Sequence, residues 1–241
     1  SKARPLNLTP LWALSARIIP YARVEIVGCG VPLVKKLINH EKSHPVALIE
    51  QFRVLQREAL LGNPLLNFQR LLLVRRKADG KLGLPQNWQG NCALSKNGYE
   101  NEIGVLSPVG PQGKLTTLFK PEKGEFVGDV DLHFDADKML LSMPGSHGRW
   151  QIWEIGAGGK RLRQVTPGEH PDADNYDACY LPDGRILFDS TRCFHGVPCV
   201  GGGNTVANLF VMNADGSGIR QLCFDQDHDW CPTVLNNGRV L

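Results

Sequence analysis

No CxxC pair and no CxxCH occur in this sequence, which excludes a ribbon-type zinc site and a covalently attached c-type haem within it. GxSxG, HExxH and comparable catalytic signatures are missing as well. The apolar run from Leu11 to Val34 is broken by Arg17, Pro20, Arg23, Glu25 and Pro32, so it cannot span a bilayer, and it lacks the order of charged, apolar and small residues of a signal peptide. Net charge is only +3, and the basic residues (Arg75-Arg76-Lys77, Lys160-Arg161, Arg163) form no stripe interleaved with aromatics, so nucleic acid is not an expected partner.

What the 241 residues do contain is glycine and proline, 26 and 16 of them, set mostly between short apolar runs. That pattern favours many turns and short strands. The apolar and charged fractions, 42% and 21%, are those of a globular protein. The first residue is Ser1, not methionine, and Gly238-Arg239-Val240-Leu241 reads as an interrupted strand. The expectation is a fragment whose first partners are missing parts of its own chain.

Residues 1–62 are expected to form an extension. Prolines 5, 10, 20 and 32 forbid a long helix, and Val24 to Val27 could make a short strand. From Pro45 to Gly62 an apolar stripe with Ile49, Phe52, Leu55 and Leu60 predicts one amphipathic helix, with proline at its start and glycine at its end.

Beyond residue 63 the sequence repeats. Arg70-Leu71-Leu72-Leu73-Val74, Lys138-Met139-Leu140-Leu141-Ser142 and Arg185-Ile186-Leu187-Phe188-Asp189 are matching strands, and Arg239-Val240-Leu241 begins a fourth. FDAD, YLPDG and VLNNG precede the last three as hairpin turns. Trp150 to Thr166 matches Asn208 to Cys223, down to LRQVT against IRQLC. Four short strands in about fifty residues indicate the blades of a propeller, because one blade has two apolar faces and needs neighbours to cover both. The blades are expected at 68–120, 127–167 and 177–223, with the start of another at 230–241.

Aligning the repeats superposes Val130, Tyr176 and Trp230. It pairs Asp129 with Asn175 and Asp229, and Asp131 with Asp177 and Cys231. Asp129, Asp131, Asn175, Asp177 and Asp229 are therefore candidates for a ligand- or cation-binding rim, with calcium as the ion suited to oxygen ligands. The competing explanation is that aspartates merely cap turns and solvate the rim. Cys193, His195 and Cys199 offer a metal-ligand set that lacks a fourth member. Cys193 and Cys199 equally have the spacing of a small disulfide in an oxidising compartment, or are free thiols. His133 and His228 stand beside aspartates but read as hydrogen-bonded side chains, and no catalytic residue is assigned. Gly201-Gly202-Gly203 lacks the lysine and helix of a phosphate loop and reads as a turn. Trp150, Trp153 and Trp230 are expected in the core.

The repeat, with its PDG turn, its strand ending in Asp-Ser and LFVMNADGSGIRQL, resembles that of TolB-like six-bladed propellers over about two thirds of the chain. The segments GEFVGDVDLHFDADKMLLSMPGSHGRWQIWEI, DACYLPDGRILFDSTRCFHGVPCVGGG and DHDWCPTVLNNGRVL are similar to the middle domain of the hydrazine synthase alpha-subunit family. The resemblance implies an all-β fold, an incomplete six-bladed propeller preceded by a helical or irregular extension. It also implies a periplasmic or secreted protein. The function it implies is a scaffold or binding module that presents a polar channel mouth to a ligand, a protein partner or a neighbouring domain. The alternative is the haem-free part of an oxidoreductase subunit whose c-type haems lie elsewhere, so no cofactor is expected within these residues.

Overall fold

The computed structural model describes residues 45–63, 68–86, 89–202, 204–235 and 237–241. The chain divides into two compact units, residues 1–66 and 67–241. In the first, helix α1 runs over Pro45–Leu61. Leu48, Phe52 and Leu55 are half-buried at i, i+4 and i+7, while Ile49, Val54 and Leu60 remain open to solvent. The Gly62 amide closes the last turn on the Glu58 carbonyl at 2.9 Å. The strand expected at Val24 to Val27 lies outside the described residues.

The second unit is built of three antiparallel sheets, each made from consecutive strands. The first holds β1 (Leu71–Arg76), β2 (Asn101–Ser107) and β3 (Lys114–Phe119). The second holds β4 (Gly128–Leu132), β5 (Lys138–Pro144), β6 (Trp150–Gly156) and β7 (Arg163–Gln164). The third holds β8 (Asn175–Tyr180), β9 (Ile186–Ser190), β10 (Asn208–Met212) and β11 (Arg220–Gln221). Val234 and Val240 then form an isolated antiparallel bridge. The first sheet has three strands, not four: among the described residues no strand pairs with β1 on the side where β4 and β8 lie in their own sheets.

Period-two alternation explains how the sheets stack. Along β5, Leu140 enters a core with Ile152, Val165, Ala178, Ile186, Phe188 and Phe210, between the second and third sheets. Met139, Leu141 and Met143 enter the opposite core with Ile103, Val127 and Ile155, between the first and second. One strand thus serves two cores, and each fully buried aliphatic side chain contributes about 1.5–3 kcal/mol. A third cluster, Tyr99, Phe126, Trp150 and Tyr176, is stitched by edge-to-face ring contacts at 5.3 Å (Tyr99–Phe126) and 4.9 Å (Phe126–Trp150).

The repeated turn sequences fold alike. In PDG, ADG and NNG the side chains of Asp183, Asp215 and Asn237 accept the amides of Arg185, Ser217 and Arg239 at 2.9–3.1 Å. Gly184, Gly216 and Gly238 follow those residues at φ 86°, 90° and 78°. Trp150 is fully buried and Trp153 packs on the second core, but Trp230 is 45% exposed and stacks on His228. The core placement expected for Trp230 is therefore corrected, since nearly half of its surface stays open to solvent.

Candidate functional site

Strands β4 and β8 are the first strands of their sheets, the innermost in a propeller. Both carry a bulge, with register shifts between Gly128 and Asp131 and between Tyr176 and Cys179. A bulge re-aims the side chain on it. Asp129 and Asp177 sit there in the left-handed region, at φ 48° and 55°, and Cys231 has the same conformation at φ 48°. Eight residues after the preceding Gly128, Tyr176 and Trp230 come Ala136, Gly184 and Gly238, again left-handed at φ 55°, 86° and 78°. The structural equivalents are thus Asp129, Asp177 and Cys231.

This corrects the sequence alignment, which placed Asp129 against Asn175 and Asp131 against Asp177. The copy in the second sheet is displaced by two residues, and Asp131 corresponds to Cys179. The FDAD turn holds Ala136 where the other copies have glycine, and the stretch from Gly128 to its partner Ser142 is one residue longer than that from Tyr176 to Asp189.

Asp129 accepts the Asn91 side-chain amide at 2.5 Å and the Ser142 hydroxyl, which itself accepts the Asp177 amide at 2.8 Å. One hydroxyl therefore joins the bulges of the second and third sheets. In the next step around the ring the Cys231 amide donates directly to the Asp177 carboxylate at 2.8 Å. The residue that pairs with Tyr176 as Ser142 pairs with Gly128 is Asp189. It is fully buried, and neither of its carboxylate oxygens has a hydrogen-bond partner.

The electrostatics follow from this crowding. Burial, then Asp177, pushes the Asp129 carboxyl up to about 7 against the opposing pull of Ser142, Arg76 and Asn91. Burial also raises Asp177. Asp189 lies well above the usual carboxylate range through burial first and then the charges of Asp177, Asp229 and Asp129. The neighbouring thiols respond in kind: burial, then Asp131 and Asp177, pushes Cys179 up to about 12, and burial, then Asp177, does the same for Cys231. The guanidinium that acts on Asp129, Arg76, is tied to the Val127 carbonyl at 2.8 Å and lies 4.5 Å over the Phe126 ring.

The other sequence candidates have structural partners. Asp131 accepts the Tyr180 amide at 2.9 Å, linking the second sheet to the third. Asn175 is buried between the Ser190 hydroxyl (2.8 Å) and the Gln151 side chain (3.1 Å). Asp229 accepts from the Asn208 side chain and the Leu209 amide, both at 3.2 Å, and from the Cys223 thiol at 2.7 Å. His133 packs on Tyr180 with 4.8 Å between ring centroids, and His228 Nδ1 accepts the Ala207 amide at 3.2 Å.

Cys193 and Cys199 are both free thiols, and Cys193 donates to the Val206 carbonyl at 3.3 Å, so the structure does not join them. Their ligand atoms and those of His195 do not converge either. Among the described residues the group gathered within 4.8 Å is Cys223, Asp225 and Asp229. There the Asn208 side-chain amide already reaches the Asp225 and Asp227 carbonyls at 3.3 Å and the Asp229 carboxylate, so a protein donor fills that loop.

Asp189, Ser142 and Asn91 were not among the residues expected at a site. The signal for Asp189 was present: the matched segments end in Ser142 and Asp189, an acid closing the run of three apolar residues Ile186-Leu187-Phe188. Asn91 comes from the long β1–β2 connection, and nothing in the repeats indicates it.

No protein-family model matches the chain, and no curated protein does. Among solved structures, a putative TolB from Agrobacterium tumefaciens is 20% identical over 55% of this chain and 41% of its own, with a TM-score of 0.39. TolB from Acinetobacter baumannii is 16% identical over 60% and 31%, with a TM-score of 0.41. Hydrazine synthase from Kuenenia stuttgartiensis is 15% identical over 71% of this chain and 27% of that chain, with a TM-score of 0.52. The chain thus spans less than half the length of each of these proteins. At such identities the likeness concerns the fold alone. The fold is that of a β-propeller, built of consecutive antiparallel sheets that do not close a ring among the described residues.

Proposed function

We propose that this propeller is a binding or scaffold module that presents the mouth lined by Asp129, Asp177 and Cys231 to a ligand, a partner or a neighbouring domain. The observation that carries the reading is the recurrence of one left-handed backbone geometry at Asp129, Asp177 and Cys231, the first two on the bulges of β4 and β8. Turn capping alone does not call for it, since the turns are closed separately by Asp183 and Asn237. The resemblance to exported propellers favours a periplasmic or secreted setting. No helix among the described residues is long and apolar enough to cross a membrane.

A photo-reactive residue in place of the exposed Trp230 tests the reading in the full-length protein. A control at Asp183 lies at the other end of the inner strand. The module reading expects a discrete adduct from the Trp230 position and none from the control. Equal labelling from both positions, or none at Trp230, would overturn it. The second reading, the haem-free part of a multihaem oxidoreductase, rests on the fold shared with hydrazine synthase. A Soret band in the full-length protein would support it.

A further inference from the structure

We propose that Asp129, Asp177 and Asp189 form a receptor for a cation bearing several N–H donors, a guanidinium group above all, and that Asp189 commits the mouth to it. The inference rests on the binding-module reading and names the ligand chemistry.

Three observations carry it. Asp129 and Asp177 are held at equivalent bulges of adjacent sheets, close enough for the charge of Asp177 to act on Asp129 and for both to act on Asp189. Asp189 then adds a fully buried carboxylate with both oxygens unpartnered, and the strongest charges acting on it are the acids of the same group and Asp229. Buried polar groups are nearly always satisfied, and an ionised carboxylate can accept about four hydrogen bonds. The equivalent position in the second sheet is filled by Ser142, whose hydroxyl is fully engaged. The third sheet thus replaces a satisfied hydroxyl with a buried carboxyl that the protein itself does not serve.

Spacing selects the kind of cation. Among the described residues these three carboxylates are not gathered within 4.8 Å of one another, as Cys223, Asp225 and Asp229 are. A single oxygen-ligated ion needs its ligands at about 2.3–2.6 Å, hence close together. A guanidinium spreads five N–H donors over a planar fork and serves acceptors that stand further apart. Each donor makes a charge-assisted bond. The same chemistry could arrive on a free small molecule or on an arginine side chain of a protein.

Calorimetric titration of the full chain at constant ionic strength tests this, with agmatine, the amide of Gly-Arg-Gly, and calcium chloride as probes. Saturable binding of agmatine or the peptide is expected, with affinity falling about 10- to 100-fold in Asp189→Asn through loss of charged hydrogen bonds. Asp189→Ser, which copies Ser142, keeps the fold by circular dichroism and loses affinity similarly. Agmatine binding as tightly as the peptide indicates a free ligand, and a tighter peptide indicates a protein side chain. Equal affinities in wild type and both variants, no binding of either guanidinium probe, or binding of calcium alone would overturn the proposal. If Trp230 still yields its adduct in that event, the module reading stands and only the ligand class falls.

Discussion

Asp189 holds in the third sheet the place that Ser142 holds in the second, each paired across the first two strands with the residue that precedes a left-handed bulge. Ser142 bridges two sheets through its hydroxyl, whereas Asp189 bridges nothing. A buried acceptor without a partner costs about 1–3 kcal/mol. Asp189→Ser is therefore expected to stabilise the ligand-free protein by about that amount at pH 7. The pH dependence has a definite sign. Asp189 and Asp129 titrate higher in the folded state than the roughly 3.9 of a free aspartate, Asp129 at about 7. Their contribution is full below that unfolded value and is lost as pH rises toward the folded one. Thermal melts from pH 4 to 8 should show wild type losing stability across this range and Asp189→Ser losing less. Parallel curves for the two proteins would disprove the assignment.

Glu154 gives the opposite sign. Burial alone would raise its pKa, but Arg163 at 2.7 Å, Lys138 at 3.1 Å and the Tyr180 hydroxyl at 2.9 Å outweigh it and hold the carboxylate below its usual value. Its contribution is present above the unfolded pKa, about 4.3, and is lost as pH falls through the folded one. Glu154→Gln should cost about 1–3 kcal/mol at neutral pH, read from urea unfolding. The difference from wild type should shrink in acid, and a constant difference down to pH 3 would refute the ion-pair account.

Two glycines separate backbone conformation from close approach. Gly184 and Gly216 both have φ near 90°, and a Cβ on Gly184 would meet nothing within 4 Å. On Gly216 it would fall on the Val165 carbonyl oxygen, where the β10–β11 turn abuts the end of the second sheet. Gly159, in the β6–β7 turn, stands against the Leu118 carbonyl of the first sheet in the same way. Gly184→Ala should cost about 1–2 kcal/mol, the penalty of the left-handed region. Gly216→Ala should cost clearly more, because it also pushes two sheets apart. Equal losses in denaturant titrations would mean that the turn does not dock.

Much of this architecture was legible in the one-dimensional pattern. The strand–turn–strand repeats, the turn glycines and the alternation that gives β5 two buried faces are local properties, set by backbone sterics and period-two side-chain direction. They marked three sheets and the turns within them. The candidate site was legible only in part. Asp129 and Asp177 stood out as repeated acids, but their equivalence was hidden by a turn with Ala136 in place of glycine and one extra residue. Bulges shift register without leaving a fixed motif. The absence of a partner for Asp189, the reach of Asn91 to Asp129 over 38 positions and the exposure of Trp230 depend on which elements stack. The sequence by itself determined the repeating unit and its two-faced packing. Only the tertiary structure decided which acids share a mouth, because burial and the lack of a hydrogen-bond partner are properties of the surroundings, not of the residue.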